Sequence, residues 1–181
     1  THRGSSAASD VYKRQGCPML WAEGHSADPP LAKDADGNWL EPEFGWAGVL
    51  EFTAHDLAQR YQDLAPQGQV DLVVIGCPQA SIEEIRRTAS AVRSYAEMGA
   101  EIPNNRLWLF TSGENYQLAV DDGSIDLLED AGVVILQDTC PEVTPYNREH
   151  YNHLLTNSLK AEHYLTSGLN RIPTSVMTIQ D

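Results

Sequence analysis

The sequence is poor in cysteine, in basic residues and in long apolar runs. Its three cysteines are an odd number, which does not fit a disulfide framework, so reduced thiols and a cytoplasmic protein are expected. Lysine and arginine number 12 against 26 acidic residues, and the formal net charge of -14 repels nucleic acid and anionic membranes. No apolar stretch reaches the length of a membrane span. Neither nucleic acid nor membrane is therefore an expected partner.

Two common site motifs are also missing. The sequence has no glycine-rich phosphate loop, since Gly76 is followed directly by Cys77 and Pro78, and it has no G-x-S-x-G nucleophile elbow. A nucleotide site and a serine-hydrolase site are therefore unsupported. The 181 residues are enough for one domain with a hydrophobic core.

The first 15 residues differ in character from the rest. Residues 5–15 read SSAASDVYKRQ, a string similar to the in-frame translation of a sequencing-library adaptor. Residues 1–15 are therefore predicted to be non-native and are left out of the fold reasoning. Native sequence is expected from Gly16, and residues 16–45, rich in proline, aspartate, glycine and tryptophan, are expected to be irregular.

Strand-like and helix-like patterns alternate from residue 52 onward. Thr53 is the expected N-cap of a first helix, and Ser81 with Glu84 forms a capping box for a second. Predicted strands cover residues 70–75, 106–110, 133–136 and 174–179. Predicted helices cover residues 82–98, a segment after 112, residues 125–131 and a short stretch ending at 164. This alternation predicts an α/β fold with a mostly parallel sheet built from βαβ units.

Two cysteines follow hydrophobic strand patterns, and each is followed by proline. Cys77 and Cys140 are predicted to close their strands, so a parallel sheet would deliver both thiols, with Thr111 and Ser112, to its carboxyl edge. Thiolates at such an edge are ligands for iron–sulfur clusters and soft metals. The alternative is that each cysteine is a small buried hydrophobic residue. Two thiolates do not close a metal site.

A second candidate segment covers residues 156–164. Ser158 at a helix start would expose its hydroxyl and nearby amides to an anion, and Lys160 and His163 share a helix face. Together they could hold a carboxylate while Ser158 or Lys160 moves a proton. The alternative is an ordinary helix cap with a solvated charged face.

Three separated motifs resemble those of the aconitase X family, a hydro-lyase branch of the aconitase superfamily. Residues 72–84, LVVIGCPQASIEE, are similar to its Gly-Cys-Pro-His-Ala-Ser-x-Glu-Glu; residues 137–141 to its Asp-Thr-Cys-Pro; and residues 156–164 to its Thr-Asn-Ser-x-Lys-x-x-His-Tyr. Their order and spacing also agree. Gln79 stands where the family usually has histidine.

The resemblance implies an aconitase-superfamily-like three-layer domain, with residues 16–181 forming part of an aconitase X catalytic domain. It implies an iron–sulfur cluster or a mononuclear iron, with Cys77 and Cys140 as metal ligands. The third ligand is expected in an upstream Thr-Cys-Thr-Pro-type motif that this chain does not contain; Cys17 is a weaker candidate. A small swivelling subunit or domain is the implied partner, so this portion alone is expected to be inactive.

The implied activity is iron-dependent dehydration of a small hydroxy acid that carries a carboxylate. Ser158 is the expected base or its partner, and Lys160 is a second catalytic residue that also anchors the substrate. The expected substrate-binding residues are Thr111, Ser112, Asn157 and His163.

The choice of substrate follows from the same resemblance. Bacterial relatives typically dehydrate cis-3-hydroxy-L-proline and archaeal relatives mevalonate 5-phosphate. Because no basic phosphate cluster is visible, cis-3-hydroxy-L-proline is the expected substrate and mevalonate 5-phosphate the alternative. Two other hypotheses stay open: a non-catalytic α/β domain whose cysteines only pack, and a zinc or mononuclear iron site in place of a cluster.

Overall fold

The computed structural model describes residues 34–38 and 52–179. Its contacts divide the chain into two units, residues 1–60 and 61–181. In the first unit, residues 34–38 form a turn in which the Asp34 carboxylate accepts hydrogen bonds from the amides of Asp36 and Asn38. The adaptor-like segment 1–15 and Cys17 lie outside the described residues. No helix in the described part of the chain is long and apolar enough to cross a membrane.

A five-stranded sheet forms the centre of the second unit, and all its strand pairs are parallel. The strand order is β3-β2-β1-β4-β5. The strands are β1 (Leu72–Ala80), β2 (Leu107–Thr111), β3 (Val134–Gln137), β4 (Leu154–Thr156) and β5 (Thr174–Val176). Because the strands are parallel, all five carboxyl ends lie at one edge of the sheet.

The described residues form five helices. Helix α1 (Ala54–Asp63) precedes β1, α2 (Ile82–Glu97) connects β1 to β2, α3 (Gly113–Asp121) and α4 (Ser124–Asp130) lie between β2 and β3, and α5 (Leu159–Ser167) connects β4 to β5. Serine caps three of them: Ser81, Ser112 and Ser158 each accept a hydrogen bond from an amide in the first turn of α2, α3 and α5. The Glu84 side chain also accepts from the Ser81 amide, which completes the predicted capping box.

Apolar side chains alternate between the two faces of the sheet. Ile75 of β1 and Leu109 of β2 pack with α2, α3 and α4 on one face. Val74 and Phe110, one position away, pack on the opposite face with α5 and Tyr146. The result is three layers, with helices on both sides of the sheet.

Strand β1 is irregular where it reaches the edge. Its register with β2 shifts between Ile75 and Ala80, and the Cys77–Pro78 peptide bond is cis. Gly76 has φ +111°, and a Cβ at this position would lie 2.0 Å from the Phe110 carbonyl oxygen. Only glycine fits this backbone next to β2, so the course of the chain into Cys77 depends on it.

The predicted α/β fold with a parallel sheet is confirmed, and the elements differ in detail. Strand β1 continues past Cys77 to Ala80, helix α5 runs on to Ser167, and the last strand ends at Val176 rather than residue 179. Strand β4 was not predicted, because three residues are too few to show a period. Gly123, with φ +79°, separates α3 from α4.

Candidate functional site

Five residues with reactive or polar side chains lie at or just beyond the carboxyl ends of the strands. Cys77 lies in β1, Ser112 follows β2, Cys140 follows β3, and Asn157 and Ser158 follow β4. Ligands of open parallel sheets bind at this edge. The sheet therefore brings together segments that are up to 81 residues apart in sequence.

Cys77 lies inside β1, so the expectation that it closes the strand is wrong: the bulged strand continues for three more residues. The residue is half-buried and packs against the cluster that contains Phe110 and Tyr146. Its backbone carbonyl accepts a hydrogen bond from the Ser158 hydroxyl. The start of α5 is thereby tied to the cysteine.

Cys140 lies three residues beyond the end of β3, in a loop, so it does not close its strand either. It is half-buried and, like Cys77, is a thiol that forms no disulfide. The loop begins at Asp138, whose amide donates to the Thr111 carbonyl and whose carboxylate accepts from the Gly113 amide. These two bonds fix the departure of the loop from the sheet.

Tyr146 lies close to both cysteines. Its ring stacks on Trp108 at 5.4 Å between centroids, and its hydroxyl donates to the Pro141 carbonyl at 3.0 Å. Burial, with smaller effects from Cys140, Glu142 and Cys77, raises the pKa of Tyr146 above its ordinary value. The hydroxyl therefore keeps its proton and donates at neutral pH. Cys77 packs against the cluster that contains Tyr146, and Gln79 Nε2 donates to the Thr139 carbonyl, so the two cysteine-bearing segments are joined by direct contacts.

Ser158 and Lys160 occupy the start of α5. The Ser158 hydroxyl accepts from the Ala161 amide at 3.1 Å while it donates to the Cys77 carbonyl. Ser158 is therefore the N-cap of α5, the alternative role considered from the sequence, and it is hydrogen-bonded to the backbone of Cys77. Lys160 is exposed in the first turn, and His163 is half-buried one turn further on, edge-on to Tyr164.

Asn157 has an unusual environment. Its Nδ2 donates to the Glu84 carboxylate at 3.4 Å, which links β4 to the capping box of α2. Its Oδ1 is buried and has no hydrogen-bond partner among the described residues. Asn157 Oδ1 is therefore free to accept a hydrogen bond from a ligand that binds at this edge of the sheet.

Thr111 and Ser112 are occupied by the protein itself. Thr111 is fully buried, and its hydroxyl donates to the Ala80 carbonyl at 2.7 Å. Ser112 is half-buried and caps α3 by accepting from the Asn115 amide. In this geometry Thr111 joins β1 to β2, and the structure gives no surface through which it would reach a substrate. Substrate binding by these two residues stays a prediction.

The side chains that could bind an iron group at this edge include two cysteine thiols. Thiolates are ligands of iron–sulfur clusters and of soft metal ions, and Cys77 and Cys140 present two of them at one edge. No group of three histidine, cysteine, aspartate or glutamate side chains placed to hold a metal occurs in the described residues. The two thiols would fit part of such a ligand set, and the described residues do not complete it with a third histidine, cysteine or carboxylate.

Sequence reasoning missed three residues that shape this site. Tyr146 and Thr144 hold the Cys140 loop, and Glu84 holds Asn157 in addition to its capping role. The capping box was visible in the sequence, but the contact between Glu84 and Asn157 joins residues 73 positions apart. No local pattern indicates such a contact.

Comparisons with known proteins agree with this architecture. The family model for the aconitase X third domain matches residues 70–180, more than half of the chain. The crystal structure of Thermococcus kodakaraensis aconitase X (holo-form) superposes with a TM-score of 0.56 at 25% identity, covering 76% of this chain and 36% of that one.

Two curated relatives are archaeal. The phosphomevalonate dehydratase large subunit of Aeropyrum pernix is 36% identical over 119 residues, which is 65% of this chain and 29% of that protein. The protein of the same name from Methanothermobacter thermautotrophicus is 34% identical over 113 residues, 62% of this chain and 27% of that protein. The chain thus spans less than a third of the length of these relatives. With its parallel sheet and its two edge cysteines, the chain belongs to the aconitase X family, and residues 70–180 correspond to the third domain of that family.

Proposed function

We propose that this chain supplies the cysteine-bearing domain of an iron-dependent hydro-lyase of the aconitase X type. The observation that carries the proposal is that Cys77 packs against the cluster of Tyr146, that the Tyr146 hydroxyl bonds to the residue after Cys140, and that the capped start of α5 bonds to Cys77. The hydro-lyase activity rests on the family and on the names of its relatives, of which this chain covers less than a third.

The two cysteines would hold the iron group, either a cluster or a mononuclear iron. Bound iron with an open position supplies Lewis acidity toward a leaving hydroxyl group. Cys77 is fixed by the bulge of β1 and by Ser158, while Cys140 is fixed by its loop. Each thiol sits on backbone held by hydrogen bonds, as a ligand site requires.

Residues of α5 would bind the anionic part of the substrate. The helix dipole and the amides of the first turn favour negative charge at this end. Lys160 adds a positive charge there, and Asn157 Oδ1 accepts from a ligand hydroxyl. Ser158 would move the proton: with its bond to the Cys77 carbonyl released and its own proton given to solvent, its oxygen would take the proton from the carbon next to the substrate carboxylate while the substrate hydroxyl leaves with its bonding electrons. The positive end of α5 would stabilise the anionic Ser158 oxygen before this transfer.

The comparisons favour mevalonate 5-phosphate as the substrate. Three matching relatives are phosphomevalonate dehydratase large subunits, and none of these comparisons supports cis-3-hydroxy-L-proline. The alternative substrate weighed from the sequence is therefore the better one. The same names speak of a large subunit, so we also propose a small subunit as a partner; the activity is assigned to a large subunit of the relatives' length together with that partner.

A metal titration tests the site directly. The 181-residue chain is titrated anaerobically with Co²⁺, whose bonds to thiolates give a charge-transfer band in the near ultraviolet. Cys77→Ser and Cys140→Ser should each remove most of that band, and Cys17→Ser shows whether the weaker third-ligand candidate contributes to it. A band that survives both edge substitutions would refute the two-thiolate site. A parallel titration with Zn²⁺ against Fe²⁺ distinguishes a zinc site from an iron site.

The substrate is tested in the enzyme assembled with its small subunit. Dehydration is followed anaerobically with mevalonate 5-phosphate and, separately, with cis-3-hydroxy-L-proline. Turnover of the first alone is expected. Turnover of the second alone would reverse the assignment, and binding of a ligand without turnover of either would favour the non-catalytic alternative.

A further inference from the structure

Three consecutive backbone carbonyls around Cys140 each accept a hydrogen bond from a side chain. Gln79 Nε2 donates to the Thr139 carbonyl at 3.1 Å, Thr144 Oγ1 to the Cys140 carbonyl at 3.0 Å, and the Tyr146 hydroxyl to the Pro141 carbonyl at 3.0 Å. Most loop carbonyls on a protein surface bond to water instead. Three side-chain donors in succession fix the peptide planes on both sides of one residue, and that residue is a cysteine.

We propose that Gln79, Thr144 and Tyr146 act as a carbonyl clamp that fixes the position of the Cys140 thiol relative to β1, which carries Cys77. They are positioning residues, and the inference rests on the proposed two-thiolate site. With the planes before and after Cys140 held, its φ and ψ are fixed, and the direction of its Cα–Cβ bond is fixed with them. Ligand geometry in metal sites depends on such outer contacts as well as on the ligands themselves.

The three donors come from different parts of the fold. Gln79 lies in β1, two residues after Cys77, so its bond to Thr139 joins the two cysteine-bearing segments directly. Thr144 belongs to the Cys140 loop itself. Tyr146 is buried and anchored by its ring on Trp108, which connects the loop to β2. Tyr146 is the strongest of the three supports because it is buried, and Gln79, which is exposed, is the weakest.

The chain offers a matched control for Tyr146. Tyr151 also contacts the Trp108 ring, at 5.5 Å between centroids, and its hydroxyl also donates to a backbone carbonyl, that of Asn105, at 3.3 Å. Its bond lies at the start of β2, near Arg106, and not on the Cys140 loop. Tyr146→Phe and Tyr151→Phe therefore remove the same group from the same aromatic cluster, and only the first removes it from the clamp.

The first readout is the Co²⁺ affinity of the 181-residue chain, measured from the thiolate charge-transfer band. Tyr146→Phe should weaken binding about 3- to 10-fold and Gln79→Ala about 2- to 3-fold, the range expected for loss of one hydrogen bond. Tyr151→Phe should stay within about 2-fold of the parent. Parent-like binding by both Tyr146→Phe and Gln79→Ala would overturn the proposal, as would equal weakening by the two tyrosine variants.

The second readout needs no metal. The rate at which a maleimide labels Cys140 is measured by mass spectrometry in the Cys17→Ser background. Tyr146→Phe should change this rate several-fold while Tyr151→Phe leaves it unchanged, because a released loop exposes its thiol differently. If Co²⁺ binding proves independent of Cys77 and Cys140, the proposed site fails, and the labelling rates still decide whether the clamp positions Cys140.

Stability of Tyr146→Phe is checked by circular dichroism and thermal unfolding. Should that variant not fold, Gln79→Ala decides, because an exposed side chain on the edge of β1 is removed without disturbing the core. Unchanged affinity and an unchanged labelling rate in Gln79→Ala would then overturn the clamp. Gln79→His, the residue usual in the family, is expected to restore most of the affinity if its ring nitrogen reaches the Thr139 carbonyl.

Discussion

The two edges of the parallel sheet are built differently. At the amino edge, the Asp71 carboxylate accepts from the amides of Asn152 and His153, and Arg106 donates to the Asp71 carbonyl at 2.6 Å. The His153 ring bonds to the Gln69 carbonyl through Nδ1 and to Ser175 Oγ through Nε2. These polar groups lie at the amino ends of β1, β2, β4 and β5, and each makes a hydrogen bond within the protein.

The carboxyl edge leaves a polar group unsatisfied. Asn157 Oδ1, directly after β4, is buried without a hydrogen-bond partner among the described residues; the other two such atoms, Trp108 Nε1 and Glu142 Oε2, lie in β2 and beside the loop that follows α5. The two thiols lie at the carboxyl edge as well. An unpaired buried acceptor costs stability, so Asn157 and the two thiols fit the proposal that this edge binds a ligand, while the amino edge contributes to stability. The predictions below test that division.

Gly76→Ala is expected to have the largest effect. The new Cβ would lie 2.0 Å from the Phe110 carbonyl oxygen, at a φ of +111° that alanine rarely adopts. Backbone of β1 or β2 has to move, and we expect a loss of about 3 kcal/mol or more in the free energy of unfolding. Urea denaturation measures it. Gly68→Ala, where no atom lies within 4 Å, is the control and should change stability little. A loss below about 1 kcal/mol would contradict the close approach.

Ser175→Ala tests the amino edge. The Gln69 carbonyl can only accept, so His153 Nδ1 carries the proton and Nε2 accepts from the Ser175 hydroxyl at 2.8 Å. Losing that donor should cost about 1 to 2 kcal/mol in unfolding free energy. Co²⁺ affinity should not change, because this edge is remote from the thiols along the strands.

The control for this variant is Ser90→Ala, an exposed serine within α2. Alanine is the better helix former, so equal or slightly higher stability is expected. A drop in Co²⁺ affinity in Ser175→Ala comparable to its drop in stability would show that the two edges are not independent.

Local patterns predicted the framework of the fold, and long-range contacts shaped the site. The capping serines and the strand–helix alternation were readable because each depends on residues within a few positions of one another. Cys77 and Cys140 were identified because each stands beside proline near a strand pattern. The extension of β1 beyond Cys77 was not predictable, since the bulge arises from packing of Gly76 against β2.

The roles of one predicted site residue, Thr111, and one residue that sequence reasoning missed, Tyr146, also depended on tertiary contacts. Thr111 is directly at the end of β2, as expected, but its hydroxyl points to Ala80 across the strand pair. Tyr146 showed no signal in the sequence, because its importance comes from the distance of its hydroxyl to Pro141 and from its stacking on Trp108. Sequence periodicity indicates which face a strand residue occupies and not which groups it meets there.

Asp71→Asn should have a smaller, pH-dependent effect at the amino edge. The Asn152 amide, together with the His153 amide and the nearby Arg106 charge, holds the pKa of Asp71 below its ordinary value, against an opposing effect of partial burial. A lowered pKa in the folded state stabilises the fold above the unfolded value of about 3.9, and this contribution disappears as the pH falls through the folded value.

The parent chain should therefore be more stable than Asp71→Asn at pH 7, and the difference should shrink below about pH 4. Urea midpoints at a series of pH values measure it. Glu101→Gln, an exposed carboxylate in a loop, controls for the change in net charge. A stability difference that is the same at every pH would show that the charge of Asp71 does not contribute.

Asn157→Ala should have the smallest effect on stability, although it lies at the candidate site. Its Oδ1 has no hydrogen-bond partner among residues 34–38 and 52–179, and its Nδ2 bond to Glu84 is long at 3.4 Å. Removing the amide relieves an unsatisfied acceptor while it loses some packing, so the unfolding free energy should stay within about 0.5 kcal/mol of the parent. In the enzyme assembled with its small subunit, the same change should lower kcat/KM about 10-fold, because the ligand loses its acceptor.

Asn115→Ala is the matched control for Asn157→Ala. The half-buried Asn115 donates to the Ala80 carbonyl at 3.2 Å, so its loss should cost about 1 kcal/mol of stability and leave kcat/KM unchanged. If Asn157→Ala instead destabilises the chain more than Asn115→Ala, its acceptor is satisfied within the fold, and the carboxyl edge is built for stability like the amino edge.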